Sequence, residues 1–202
     1  MEYTSKDSLK GAGSAYTPED AGSKLRGYRR PRHYTPPTAL GNQAYVLDTT
    51  ALLAGLQLSL PRSYTTTEAV EEVRDHVNRE KVRLAITIGR LETVNPEPRS
   101  VKEAMKAAQK IGEQASLSKT DISIAALALD LSRKGLKPVV VTDDYSLQNL
   151  LTHLGVEFKP LRTRGIQKPR RYKLVCPACG YRARGNETYC PRCGSKLKRI
   201  PV

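Results

Sequence analysis

From residue 44 onward the chain alternates short apolar runs with segments of helical period. Residues 44–48, Ala-Tyr-Val-Leu-Asp, predict a short buried strand running into a helix, and residues 64–66 a second short strand. Across residues 68–79, Ala69, Val70, Val73 and Val77 fall on one helical face, and residues 82–88 alternate as a strand does. Residues 98–115 and 118–133 predict two further helices. Residues 138–142, Pro-Val-Val-Val-Thr, form a run rich in β-branched side chains, and residues 156–158 predict a last short strand. Strands that alternate with helices imply right-handed crossovers and a mostly parallel sheet, hence an α/β domain. Residues 1–42 have neither period; rich in Gly, Ser, Pro, Tyr and Arg, they predict a disordered extension.

Composition narrows the class. The 202 residues are 39% hydrophobic, enough for one sizeable core and a small module. With no Trp and one Phe, that core must be built from Leu, Val, Ile and Ala. The longest nearly uncharged apolar stretch, residues 122–129, is far short of the about 18 residues that a membrane span needs. The opening Met-Glu-Tyr-Thr-Ser-Lys-Asp has no apolar region of a secretory signal, so a soluble, cytoplasmic protein is expected. No Walker-type or Rossmann-type glycine pattern supports a nucleotide cofactor.

The net charge of +14 is a C-terminal property: residues 159–202 hold 13 basic residues against one acidic, whereas residues 43–158 hold 14 against 15. A basic block beside a near-neutral domain points to a polyanionic partner, nucleic acid before an anionic membrane surface. The bland alternative is a solubilising tail, but the same block carries every cysteine.

Cys176-Pro-Ala-Cys179-Gly and Cys190-Pro-Arg-Cys193-Gly give two C-x2-C pairs separated by ten residues. Two such pairs supply the four thiolates of a tetrahedral structural zinc site, a closed shell that folds a module and leaves no position for catalysis. The rival, redox pairs, normally opens a helix, and here Pro and Gly break the helix at both sites. Around the cysteines lie Lys173, Tyr181, Arg182, Arg184, Tyr189, Arg192, Lys196, Lys198 and Arg199, a mixture suited to phosphate contacts and base stacking or, alternatively, to a solvated surface with packed tyrosines.

Asp48 ends the first predicted strand, and Asp143 and Asp144 directly follow the strand 138–142. Taken alone, such an Asp is a helix N-cap. In a parallel sheet, however, strand carboxyl ends share the edge at which ligands bind. Glu72 lies on the helix after the second short strand, and Asp121 in the first turn of the helix beginning near Ser118. Four converging carboxylates repel one another unless cations neutralise them, and an oxygen-only shell suits Mg²⁺ or Mn²⁺. Such ions activate water and stabilise charge on a cleaved phosphodiester. His33, His76 and His153 are assigned no catalytic role.

Leu47-Asp48-Thr-Thr, Thr66-Thr-Glu-Ala-Val-Glu-Glu72-Val, Leu117-Ser-Lys-Thr-Asp121-Ile and Val141-Thr-Asp-Asp144-Tyr-Ser-Leu-Gln-Asn149, in this order, resemble a PIN domain. With the zinc ribbon, residues 43–202 resemble the endonuclease family that matures the 3′ end of small-subunit ribosomal RNA at the D site, in its compact archaeal form. The resemblance implies a three-layer domain with a parallel sheet of about five strands over residues 43–160, a basic linker at 161–172 and a ribbon at 173–202. It implies metal-dependent cleavage of single-stranded precursor rRNA, with the pre-ribosomal small subunit and its assembly factors as partners. Carried over position by position, its acidic site is Asp48, Glu72, Asp121 and Asp144, with Asp48, Asp121 and Asp144 holding Mg²⁺ or Mn²⁺. Glu68 and Glu71 compete with Glu72, and Asp143 with Asp144. Lys173, Arg182, Arg184, Arg192, Lys196 and Lys198 are the expected RNA contacts. Two rivals stand beside this reading. One is a non-catalytic RNA-binding assembly factor, whose mark would be a missing acidic position. The other is a toxin-type PIN ribonuclease acting on tRNA or mRNA, which would lack the ribbon. Residues 1–42 match nothing in the family.

Overall fold

The computed structural model describes residues 41–166, 168–183 and 187–202; the extension expected over residues 1–42 lies outside the described residues up to position 40, and Arg184 is outside them as well. Five strands form one parallel sheet: β1 (Gln43–Leu47), β2 (Ser63–Thr65), β3 (Leu91–Thr93), β4 (Lys137–Val141) and β5 (Glu157–Lys159), in the order β3-β2-β1-β4-β5. β1 is central, pairing Tyr45 with Ser63 on one side and Leu47 with Val141 on the other. Ala44, Val46, Leu47, Val139, Val140 and Val141 are all buried, so both faces of the central strands are covered by helices, the three-layer arrangement that parallel strands require. After β1 the chain builds outward through β2 and β3, then returns to the other side of β1 for β4. The reversal puts a crevice at the carboxyl ends of β1 and β4.

The helices are α1 (Thr49–Leu53), α2 (Thr67–Glu72), α3 (His76–Thr87), α4 (Pro98–Ile111), α5 (Lys119–Arg133) and α6 (Tyr145–Leu154). Here the structure departs from the expected pattern in two places. Residues 68–79 are not one helix, because Val73 leaves helical backbone and the Asp75 side chain accepts from the Asn78 N–H, capping a second helix. Val77 therefore lies 63% exposed and outside the apolar face. Residues 82–88 are not a strand but the second half of α3 and its C-cap residue Ile88; Val82 and Ala85 are buried one turn apart, and Leu84, Ile86 and Ile88 are exposed. The third strand is instead Leu91–Thr93, where only Leu91 is buried.

The C-terminal module pairs β6 (Tyr172–Val175) antiparallel with β7 (Lys198–Pro201). Two matching knuckles face each other across it: Gly180 N–H donates to the Cys176 carbonyl and Gly194 N–H to the Cys190 carbonyl, both glycines at positive φ. Leu174, Tyr181, Ala183 and Leu197 pack around Cys176 and Cys190.

The ribbon is fastened to the sheet domain through the end of α4. Gly112, in the left-handed conformation at the helix C-cap, lies so close to β6 that a Cβ there would stand 2.1 Å from the Tyr172 carbonyl oxygen. The next residue, Glu113, is 1% exposed and pairs with Arg199 of β7, whose guanidinium also reaches the Ser116 hydroxyl and lies 4.1 Å from the Tyr172 ring centroid. Asn149 clamps the connecting segment, its amide donating to the Arg170 carbonyl at 2.8 Å and its oxygen accepting from the Arg170 N–H at 2.9 Å.

Candidate active site

Asp48 follows β1 directly, is 6% exposed and caps α1 through the Thr49 N–H. Its other oxygen accepts from the Thr142 hydroxyl at 2.7 Å and the Thr50 hydroxyl at 3.2 Å. Thr142 follows β4 and also accepts from the Asp144 N–H at 3.1 Å, so one hydroxyl ties together the two strand ends carrying the acids. Asp144 caps α6 by accepting from the Leu147 N–H at 2.7 Å. Asp121 completes a capping box with Ser118 at the start of α5. Glu72, the last residue of α2, accepts from the Thr49 hydroxyl at 2.7 Å and from the Thr120 hydroxyl, so it bridges the starts of α1 and α5.

Electrostatics show that the aspartates share one environment. Burial pushes the Asp48 carboxyl above its ordinary value, opposed by its hydrogen bonds, with the Asp144 charge adding to the upward shift. Burial likewise raises Asp121, and both Asp144 and Asp48 repel its ionised form. Among the described residues no lysine, arginine or histidine forms an ion pair with Asp48, Glu72, Asp121 or Asp144. The N-terminal end of α5 offers a partial positive charge to Asp121, and that of α6 to Asp144. The result is a group of carboxylates with no basic side chain paired to it, an oxygen donor set of the kind that hard divalent ions favour. The carboxylates are not drawn round a single point, since each is also spent on capping or on a threonine.

The competing positions point elsewhere. Asp143 turns away from the cluster to accept from the N–H groups of Leu161, Arg162 and Thr163; burial would raise its carboxyl, but these bonds outweigh it and hold the group below the ordinary value. Glu68 accepts from Ser123, one turn further along α5 than the Thr120 contact of Glu72. Glu71 is exposed.

The four cysteine sulfurs lie within 4.8 Å of one another, with Cys176 to Cys193 at 3.4 Å and Cys179 to Cys190 at 3.5 Å. These separations are near the edge of a zinc–thiolate tetrahedron, about 3.8 Å for bonds of about 2.3 Å, and far beyond a disulfide bond. The Ser195 hydroxyl and N–H favour the Cys193 thiolate and hold that thiol down at about 6. Among the described residues this is the one cluster drawn tightly enough to hold an ion as it stands, and it suits zinc. Of the expected RNA contacts, Lys173, Arg182, Arg192, Lys196 and Lys198 are exposed, and Arg192 lies 5.4 Å from the Tyr181 ring centroid. Arg199 belongs to the interdomain contact instead.

Sequence reasoning missed the groups that hold this site together. Thr49, Thr120 and Thr142 position the carboxylates; the visible signal was a threonine beside an acid at both strand ends. Glu113, Gln148 and Asn149 hold the linker and ribbon: Gln148 donates to the Thr142 carbonyl and accepts from the Ile166 N–H, both at 2.9 Å.

The fold is a three-layer α/β domain with acidic residues at the carboxyl ends of β1 and β4. The family described as PIN domain of ribonuclease matches residues 45–131, a span that contains Asp48, Glu72 and Asp121. Endoribonuclease Nob1 of Pyrococcus abyssi is 35% identical over 158 residues, covering 77% of this chain and 92% of the relative. Endoribonuclease Nob1 of Archaeoglobus fulgidus is 35% identical over 161 residues, covering 78% and 92%. Ribonuclease VapC3 of Aeropyrum pernix is 42% identical over 126 residues, covering 62% of this chain and 91% of the relative. The chain belongs to the PIN-domain endoribonuclease family that includes the archaeal Nob1 enzymes, and it is an endoribonuclease. No helix among the described residues is long and apolar enough to cross a membrane.

Proposed function

We propose that this endoribonuclease cuts single-stranded precursor rRNA at the 3′ end of the small-subunit rRNA, working in the cytoplasm on the pre-ribosomal small subunit with its assembly factors. The observation that carries this reading is the attachment of a basic four-cysteine ribbon to the nuclease domain at the end of α4, through Glu113 and Arg199. Such a coupling fits a nuclease aimed at one site on a structured RNA. Lys173, Arg182, Arg184, Arg192, Lys196 and Lys198 grip RNA phosphates, and one zinc held by Cys176, Cys179, Cys190 and Cys193 keeps the ribbon folded.

At the acidic edge Asp48, Asp121 and Asp144 hold Mg²⁺ or Mn²⁺, which when bound makes water a better nucleophile and offsets charge on the phosphodiester. Thr142 and the Thr49 N–H fix the Asp48 carboxylate, and the Ser118 capping box fixes Asp121. Glu72, held by Thr49 and Thr120, supplies the fourth acid. Cleavage leaves a 5′-phosphate and a 3′-hydroxyl.

The test incubates purified protein with RNA spanning the small-subunit rRNA 3′ end, with Mg²⁺, Mn²⁺ or no added divalent metal, and maps the product ends. Metal-dependent cutting at the mature end, lost in Asp144→Asn, supports the reading. Equal cutting of tRNA or unrelated mRNA overturns it in favour of a PIN ribonuclease of the toxin type, the second reading. Tight binding without cutting under any metal overturns autonomous cleavage of rRNA.

A further inference from the structure

A cleft of about 430 Å³ opens between the start of α6, the segment joining the two domains and the face of the ribbon. Its walls include Tyr145, Ser146, Asn149, Lys168, Arg170 and Tyr172. Tyr145 directly follows Asp144, is 53% exposed and lines this cleft. The opposite wall is rigid by construction. Both polar backbone atoms of Arg170 are held by the buried Asn149 amide, and the Ile166 N–H is held by Gln148.

The charge of the cleft is positive. Its one lining carboxylate, Glu113, is neutralised by Arg199, whereas among the described residues no carboxylate pairs with Lys168 or Arg170. An aromatic face beside the acidic edge, opposed by two cationic side chains on a fixed backbone, matches what single-stranded nucleic acid requires: a stacking platform and phosphate contacts. The volume suits about one nucleotide and excludes a duplex.

We propose that this cleft is a nucleotide subsite of the nuclease, in which Tyr145 stacks the base beside the scissile phosphate while Lys168 and Arg170 hold the adjoining backbone phosphate. The proposal rests on Asp144 belonging to the cleaving site. It makes α6 a two-function element: its N-cap faces the cut and its first residue sets where the next base lies. The residues of the ribbon's outer surface then contact RNA farther along the strand.

The test uses short single-stranded RNA carrying 2-aminopurine at one position at a time, without added Mg²⁺ or Mn²⁺ so that nothing is cut. Wild type and Tyr145→Phe should quench the fluorophore at one position, and Tyr145→Ala should lose that quench alone and bind roughly tenfold more weakly. Lys168→Ala combined with Arg170→Ala should flatten the log–log salt dependence of binding by about 0.7, the value for one lost phosphate contact on a single strand. An unchanged quench in Tyr145→Ala, or an unchanged slope in the double variant, overturns the subsite. Cutting of the same RNA with Mn²⁺ separates the two readings. If wild type cuts while Tyr145→Ala keeps the quench, the subsite falls and the acidic edge stands. If the quench depends on Tyr145 but nothing is cut, base stacking in the cleft stands, and its place beside a scissile phosphate falls with the acidic-edge reading. Should Tyr145→Ala lose its folded melting transition, the Lys168 and Arg170 pair, on an exposed segment, still decides the question.

Discussion

Replacing Arg199 with Ala removes the charge that faces Glu113, and the structure sets the size of the effect. The Glu113 side chain is 2% exposed and that of Arg199 31%, so the carboxylate is left almost wholly buried with only the Asn149 amide, at 2.9 Å, as partner. Removing one member of a fully buried pair costs about 3–5 kcal/mol, and the partial exposure of Arg199 lowers the figure to about 2 kcal/mol. Loss of the guanidinium over Tyr172 adds about 1 kcal/mol. Docking of the ribbon should therefore weaken by roughly two orders of magnitude, at about 1.4 kcal/mol per tenfold. Hydrogen exchange reads this directly at the Arg170 amide, which among the described residues donates to the Asn149 oxygen across the junction. It should exchange roughly a hundredfold faster in Arg199→Ala, while amides of β1 and β4 stay protected. A double-mutant cycle with Glu113→Gln should return a coupling of about 2 kcal/mol. Exchange at Arg170 unchanged within about twofold, together with a coupling below about 0.5 kcal/mol, the range of independent sites, would refute the junction as drawn.

Three other outcomes follow from the same contacts. Asp48→Asn should abolish metal-dependent cutting yet melt higher than wild type in metal-free buffer near neutral pH. The folded Asp48 carboxyl is raised, so the native state keeps its proton to higher pH than the unfolded chain does, and wild-type stability falls as pH climbs from about 4; a lower melting temperature in the variant would count against this. Asp143 behaves oppositely: its carboxyl is lowered, so the bonds it accepts from Leu161, Arg162 and Thr163 stabilise the linker above the ordinary aspartate range and are lost as pH falls through the lowered value, which exchange of those three amides against pH would show. Stripping zinc with a chelator should release about one ion per chain and unprotect the β6–β7 amides while the five-stranded sheet keeps its protection; a ribbon that stays protected once the metal is gone would sink the structural role.

The departures between pattern and structure have specific causes. The helix break at residues 73–75 was hidden because Asp75 looks like any solvated charge until its oxygens meet Asn78. Residues 82–88 imitate a strand because Val82, Leu84, Ile86 and Ile88 happen to fall at every second position, although only Val82 of these is buried. The short strand Leu91–Thr93 buries one residue, too little for any period to register. The strand-end acids were readable because carboxyl ends of parallel strands share an edge whatever fills the core. Which of two adjacent acids faces that edge was not, since Asp143 is committed by a segment some twenty residues away.

By itself the sequence determined the four-cysteine ribbon, the parallel α/β architecture and the placing of Asp48 and Asp144 at strand ends. All of these depend on spacings within a few residues, where covalent geometry leaves few alternatives. Tertiary structure alone decided that Thr49, Thr120 and Thr142 orient the carboxylates, and that Glu113 and Arg199 join the cysteine ribbon to the end of α4. It also opened a cleft between Tyr145 and Arg170. These arrangements bring together groups as many as 94 positions apart, and no local period records a contact made by the path of the folded chain.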